Sequence, residues 1–272
     1  MDQAQIKKIL NLYGAKAKKS LGQHFLTSLP VVKSMVKAAE IKENSTVLEI
    51  GPGLGILTSE LATSSACEII LCEKDRILCD YLKGEYKNKK FKVICDDALL
   101  LIPNLHVSPP FSVVSNLPYN ISSPVIISLL TVCPTLPEKM VLMVQREVAD
   151  RLIALPHDSN RGILTVLLEL FGEVKMIEKV SKGVFYPVPE VDSAVICVSK
   201  IVSPPFDAKF ALRILKLSFA GKRKKIKNSL FSALKMDNQT MQKVLSKSGL
   251  NENMRPEELT RDQWIALIKE LA

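Results

Sequence analysis

Four short stretches gather residue types that could serve chemistry. V-L-E-I-G-P-G-L-G (47–55) ends an apolar run in Gly51, Gly53 and Gly55, and glycines let the backbone approach a ligand closely where a strand turns into a helix. The spacing is G-x-G-x-G with Pro52 between the first two, not the G-x-G-x-x-G of a dinucleotide site, and taken alone it is equally a structural turn. The next apolar run ends at Glu73, 22 positions after Gly51, where a carboxylate can accept hydrogen bonds from ribose hydroxyls. A third run ends in C-D-D-A-L and brings Asp96 or Asp97 to the same rim. Three successive strand ends offering glycines, a Glu and an Asp point to a nucleoside-containing cofactor rather than to unrelated surface carboxylates. The fourth stretch, V-V-S-N-L-P-Y-N-I (113–121), passes from residues suited to a buried strand straight into an amide, a proline and an aromatic. In isolation it reads as an Asx-Pro turn beside a core tyrosine.

The elements that must position these residues follow from the hydrophobic pattern. Strand-like runs lie at 46–50, 68–72, 91–95, 111–115 and 139–144, and helical spacing at 54–63, 75–86, 122–131, 146–155 and 162–171. This alternation predicts a parallel sheet with helices on both faces. The runs 174–180 and 193–199 are separated by the Pro-rich G-V-F-Y-P-V-P-E-V-D instead of a helix, so they are expected to close the sheet as an antiparallel pair. After the S-P-P at 203–205 the pattern is purely helical. We therefore expect an α/β Rossmann-like domain over 1–204, mostly parallel with a closing antiparallel strand, and a small all-helical domain over 205–272.

The chain has 272 residues, of which 47% are apolar, enough for one large core and a small one. No apolar run reaches membrane-spanning length, and the first 20 residues lack the apolar core of a signal peptide, which predicts a cytoplasmic protein. The six cysteines (Cys67, Cys72, Cys79, Cys95, Cys133, Cys197) form no C-x-x-C pair and the three histidines are scattered. Neither a disulfide framework nor a metal site is expected, and the cysteines read as small buried hydrophobes. The net charge of +9 is uneven, because residues 201–272 hold 14 Lys and Arg against 7 Asp and Glu, +7 of the total. Such a surplus is often only a solvated helix face, yet concentrated in a quarter of the chain it favours a polyanionic partner.

Asn-Leu-Pro-Tyr (116–119) after a glycine-turn site resembles the N/D-P-P-Y-type motif of S-adenosylmethionine-dependent methyltransferases that act on exocyclic amines. The resemblance extends from about Lys16 to the C-terminus. K-K-S-L-G-Q-H-F-L (18–26), E-I-G-P-G-L-G (49–55), S-N-L-P-Y-N-I-S-S-P (115–124), V-Q-R-E-V-A-D-R-L (144–152), F-Y-P-V-P-E-V-D-S-A-V (185–195) and F-A-G-K-R-K-K-I-K-N-S-L (219–230) stand in the order of the ribosomal RNA adenine dimethyltransferase family. They are most similar to its bacterial small-subunit branch, which dimethylates two adjacent adenines in the terminal hairpin loop of 16S RNA. The resemblance implies S-adenosylmethionine as cofactor and the small-subunit RNA or its ribosomal precursor as partner, with no membrane, no metal and a monomeric chain. It implies cofactor contacts at His24, Leu26, Gly51, Gly53, Glu73, Asp97 and Asn116, with the segment 1–30 helping to cover the cofactor. Catalysis would rest on Asn116, Leu117, Pro118 and Tyr119, with Phe185 sandwiching the target base opposite Tyr119. RNA phosphates would be held by Lys222, Arg223, Lys224, Lys225 and Lys227, at the start of a helix whose Ile226, Leu230 and Leu234 form a buried stripe.

Two departures from the family pattern bear on these roles. His24 stands where bacterial members commonly have Asn, and the basic segment is richer in lysine than an Arg-Arg-Lys pattern. Phosphate attraction survives that exchange while bidentate recognition is weakened. Three other functions compete: dimethylation of a large-subunit RNA adenine, as in the antibiotic-resistance branch; a non-catalytic ribosome-assembly factor on the same fold; and a nicotinamide dehydrogenase, which the glycine spacing disfavours.

Overall fold

A computed structural model of the chain describes every residue except those at 19, 20, 222 and 223. In chain order the elements are α1 (Gln3–Leu12), β1 (Phe25–Leu26), α2 (Leu29–Ala39), β2 (Thr46–Ile50), α3 (Ile56–Leu61), β3 (Glu68–Glu73), α4 (Arg76–Glu85), β4 (Phe91–Cys95), α5 (Ala98–Leu101), β5 (Phe111–Asn116), α6 (Ser122–Thr131), β6 (Lys139–Gln145), α7 (Arg146–Leu152) and α8 (Ile163–Phe171). There follow β7 (Glu173–Val180), β8 (Phe185–Tyr186), β9 (Ser193–Ser199), α9 (Ala208–Ser218), α10 (Ser232–Leu234), α11 (Asn238–Lys247) and α12 (Arg261–Leu271). The seven-stranded sheet has the order β4-β3-β2-β5-β6-β9-β7. Pairs from β4 to β6 are parallel and β9 runs antiparallel to β6, as the strand alternation and the missing crossover helix require. At its centre every residue of β2 is buried.

The order reverses between β2, which continues to β3 and β4, and β5, which continues to β6. Ligands bind at such a switch point, outside the carboxyl ends of the strands. All three chemistry-bearing strand ends, of β2, β3 and β4, and the N-L-P-Y after β5 therefore share one rim. Because β9 is antiparallel, its first residue, Ser193, opposite Gln145, starts at that rim too. The two-stranded ribbon of β1 and β8 pairs Leu26 with Phe185 and Phe25 with Tyr186, tying the N-terminal segment to F-Y-P-V-P.

The chain divides into two compact units, Met1–Ala149 with Lys175–Ile201, and Asp150–Val174 with Val202–Ala272. This differs from a split at 204/205: helix α8 packs against α9 and α12, so its apolar residues complete the core of the helical unit before β7 returns the chain to the sheet. Within that helical unit Arg161 is fully buried and bridges to Glu169 while donating to the carbonyls of Ala154 and Leu259, each at 3.1 Å. Over the expected basic helix, Ile226 and Leu230 are buried and Leu234 is half-buried. The backbone there makes a π-helical turn (Lys227–Phe231) that runs into α10, rather than one regular α-helix.

The cysteines depart from expectation in one pair. Cys79 of α4 and Cys95 at the end of β4 are joined by a disulfide, with Cα atoms 5.8 Å apart. The cause is tertiary, since α4 packs across β4 and closes a separation of 16 residues that no spacing motif marks. Cys72 and Cys197 are buried and Cys67 is exposed. Among the described residues no group of acidic, His and Cys side chains could hold a metal ion, and no helix is long and apolar enough to cross a membrane.

Removing one member of a buried ion pair leaves the other charge uncompensated, a loss of about 3–5 kcal/mol. Glu169→Ala is therefore expected to lower the stability of the helical unit by that amount in urea unfolding. An unchanged midpoint would show that Arg161 is satisfied by its carbonyl partners alone.

Candidate active site

The site grows from the end of β3. Glu73 is 6% exposed, and its carboxylate oxygens accept the backbone N–H of Gly53 at 3.1 Å and of Asp75 at 2.9 Å. Burial pushes its pKa above the ordinary value, while those N–H groups pull it back. One buried carboxylate thereby joins the glycine turn after β2 to the start of α4. Asp75 caps α4 through the Ile77 N–H and takes Lys18 Nζ at 2.8 Å and Gln23 Nε2 at 3.1 Å. Burial works to raise the Asp75 carboxyl, and these donors more than offset it, so the group titrates below the usual range. The Gln23 amide oxygen accepts the Lys18 N–H at 2.8 Å, so that both side chains converge on Asp75 at the rim.

The glycine turn is constrained by what packs on it. Gly51 and Gly53 both have left-handed φ, +68° and +60°. A Cβ on Gly51 would lie 3.1 Å from Pro118 Cγ, and one on Gly53 would lie 3.1 Å from the Phe25 ring. This explains the proline of N-L-P-Y: its ring sits on the bare α-carbon of Gly51 and fixes the two loops against each other.

A single cavity is lined by His24, Leu26, Gly51, Gly53, Glu73, Asp96, Asp97, Asn116, Leu117, Pro118 and Tyr119, together with Met1 and residues 21–23. Asp97 caps α5 through the Leu99 N–H at 2.9 Å and pairs with Lys74 Nζ at 2.7 Å; Lys74 and that N–H hold its carboxyl below the usual range. Asn116 ends β5 and is half-buried. The Leu117 N–H donates to the Met143 carbonyl at 3.1 Å, and the Pro118 carbonyl accepts the Ile121 N–H at 3.1 Å. The Tyr119 hydroxyl lies 2.6 Å from Ser193 Oγ, and its ring stacks on His24 with centroids 5.7 Å apart. His24 Nδ1 donates to the Pro187 carbonyl at 2.7 Å.

Phe185 does not join this group. Its ring is fully buried in the apolar cluster that holds Leu26, Val180 and Val195. Pairing with Leu26 in the β1–β8 ribbon turns it inward, so the aromatic beside Tyr119 is His24. Of the basic positions, Lys222 and Arg223 lie outside the described residues. Lys224 and Lys225 are exposed, Lys225 reaching Asn253 Oδ1 at 2.6 Å. Lys227 is half-buried and paired with Glu252 at 2.8 Å, and so contributes less to a positive surface.

Glu49 is a further carboxylate of the site, marked in the sequence by its place in the otherwise apolar T-V-L-E-I. It is 2% exposed, accepts from Thr58 Oγ1 at 2.7 Å and lines the same cavity. Burial, reinforced by Glu73 nearby, pushes its pKa from 4.5 up to about 8. The folded chain then holds a proton there that the unfolded chain has released, so stability falls as pH rises from about 4.5 to about 8. The slope is at most about 1.4 kcal/mol per pH unit. Glu49→Gln, which keeps an acceptor for Thr58, is expected to gain melting temperature over the parent progressively between pH 5 and pH 8. Parallel pH profiles would mean that Glu49 is already ionised in the folded state.

The chain is 37% identical to the ribosomal RNA small subunit methyltransferase A of Dehalococcoides mccartyi, over 99% of this chain and 93% of that protein. The crystal structure of a dimethyladenosine transferase from Plasmodium falciparum matches with a TM-score of 0.77 at 28% identity, covering 90% of this chain and 96% of that one. That of the 23S rRNA methyltransferase ErmE matches with a TM-score of 0.67 at 27% identity, covering 91% and 99%. The family model for ribosomal RNA adenine dimethylase matches residues 14–272, and with the rim chemistry just described this makes the chain a member of the ribosomal RNA adenine dimethylase family, a methyltransferase of ribosomal RNA.

Proposed function

We propose that the protein uses S-adenosylmethionine to dimethylate N6 of two adjacent adenines in the 3'-terminal hairpin loop of 16S rRNA, as a step in small-subunit maturation. The observation that carries this reading is the meeting of the Glu73-anchored glycine turn with N-L-P-Y on the wall of one cavity. The small-subunit assignment draws on the name of the Dehalococcoides relative and on the F-x-P-x-P-x-V-D-S and Q-R-E-V-A-D-R-L segments.

The residues fit the cofactor. Glu73 retains acceptor capacity for ribose hydroxyls, because a carboxylate offers about four lone-pair sites and the backbone N–H groups of Gly53, Asp75 and Lys74 leave one over. Asp97, at the end of the next strand, stands where the base of the nucleoside would reach. When bound, the cofactor supplies an electrophilic methyl on a sulfonium. The chain's own task is to make adenine N6 nucleophilic, since its lone pair is delocalised into the ring. The Asn116 amide oxygen and one backbone carbonyl would accept the two N6 hydrogens and localise that lone pair. The Pro118 carbonyl is already engaged by Ile121, so the Leu117 carbonyl is the better second acceptor. Tyr119 would stack on the base and hold it in line. No strong base is needed, because the amine becomes acidic once alkylated. A loop adenine is extruded at low cost onto such a platform, whereas a base within a stacked helix is not.

The helical unit, on this reading, holds the surrounding phosphates through its basic segment. Primer extension on small-subunit RNA incubated with protein and cofactor tests the function directly, because dimethyladenine blocks the polymerase. Stops at two adjacent hairpin adenines support the reading. Stops only on 23S RNA, or cofactor binding without any stop, would replace it with the large-subunit or the non-catalytic alternative.

Two sets of variants separate the roles. Glu73→Ala is expected to weaken S-adenosylmethionine binding by about 1–3 kcal/mol in calorimetry. Asn116→Ala should instead lose most of its single-turnover rate, since lone-pair localisation acts in the transition state. Near-normal turnover in Asn116→Ala would remove that role. Replacing Lys222, Arg223, Lys224 and Lys225 with Gln should leave cofactor affinity intact, lower RNA affinity and flatten its salt dependence by roughly 0.7–0.9 in log–log slope for each phosphate no longer neutralised. An unchanged slope would mean the segment is only a solvated surface.

A further inference from the structure

Tyr119 is held at two points by residues to which neither the motif nor the family resemblance gives this task. Its hydroxyl meets Ser193 Oγ at 2.6 Å, across a sequence separation of 74 residues that takes it past β6 to the first residue of β9. Ser193 is fully buried and sits in register with Gln145, so its hydroxyl is fixed by the sheet. One face of the Tyr119 ring meets the His24 imidazole, 23° from parallel, and that imidazole is oriented in turn by the Pro187 carbonyl. A ring on a loop rotates about two side-chain torsions. The hydroxyl contact stops the rotation from one end and the stacked imidazole limits it from the face.

We propose that Ser193 is a positioning residue for methyl transfer: by holding the Tyr119 hydroxyl it sets the plane of the ring on which the target adenine stacks, and so the direction in which N6 points. The antiparallel last strand thereby has a task in the reaction, since it starts at the carboxyl rim and places a buried hydroxyl there. The proposal rests on the reading of Tyr119 as the base-stacking residue, and it separates Ser193 from residues that merely pack, because its effect must pass through the Tyr119 hydroxyl.

The test is a double-mutant cycle on the full-length protein, read as the single-turnover methylation rate on 30S-derived RNA at saturating RNA and S-adenosylmethionine. Tyr119→Ala serves as a control for stacking. Ser193→Ala and Tyr119→Phe, which keeps the ring and removes the hydroxyl, are each expected to slow the step by about 3- to 30-fold, the scale of a modest misorientation. The double variant should be no slower than either alone, with cofactor affinity and melting temperature close to the parent's. Multiplying rate losses in the double variant, or a Ser193→Ala rate equal to the parent's while Tyr119→Ala is inactive, would overturn the positioning role and leave the stacking role standing. A Tyr119→Ala variant that methylates normally would overturn both.

Discussion

The buried carboxylate of Glu73 is the constraint on which the rim depends. Its two oxygens accept N–H groups from Gly53, after β2, and from Asp75, before α4, so two connections of the sheet share one anion. A carboxylate at 6% exposure is costly unless hydrogen-bonded, and both donors are backbone groups that the glycine turn and the helix start aim at it. Asp75, positioned by the same loop, then draws in Lys18 and Gln23. Lys18, Gln23, the glycine turn and Glu73 are thus parts of one hydrogen-bonded unit.

N-L-P-Y meets that unit through shape. Pro118 rests on the Cα of Gly51, where a Cβ would lie 3.1 Å from its ring and the backbone is left-handed, and the register of β5 with β6 fixes Asn116 opposite Met143. The amide is therefore delivered by a core strand and the aromatic by a loop. A loop side chain needs external anchors to serve as a stacking surface, and the structure supplies them from β9 and from His24. On the proposed reading the proline, the tyrosine and the asparagine answer three separate needs: docking to the glycine turn, stacking, and accepting amine hydrogens.

Much of this was legible in the sequence because it depends on local pattern. The run T-V-L-E-I forms a strand over the residues expected, as do F-K-V-I-C and the residues 193–199, since continuous apolar runs bounded by turn residues leave few alternatives. That Glu73 and the pair Asp96 and Asp97 line one cavity was readable because strand ends in a parallel sheet share a rim. What escaped depends on tertiary packing. Phe185 stands in a motif, yet strand pairing with Leu26 turns it into the core. The meeting of Cys79 with Cys95 follows from the way α4 lies on β4. Helix α8 reads as one more layer of the alternating fold until its apolar face is seen to pack against α9 and α12. Ser193 lies inside a motif segment, but a serine beginning a strand carries no sign of a tyrosine 74 residues earlier.

The central claim is that one rim holds the nucleoside at Glu73 and presents the methyl to Asn116. A structure of the protein with S-adenosylhomocysteine tests it most directly. The account predicts both ribose hydroxyls within hydrogen-bonding distance of the Glu73 carboxylate and the sulfur facing the Asn116 amide. A ribose bound away from Glu73, or a sulfur turned away from N-L-P-Y, would contradict it.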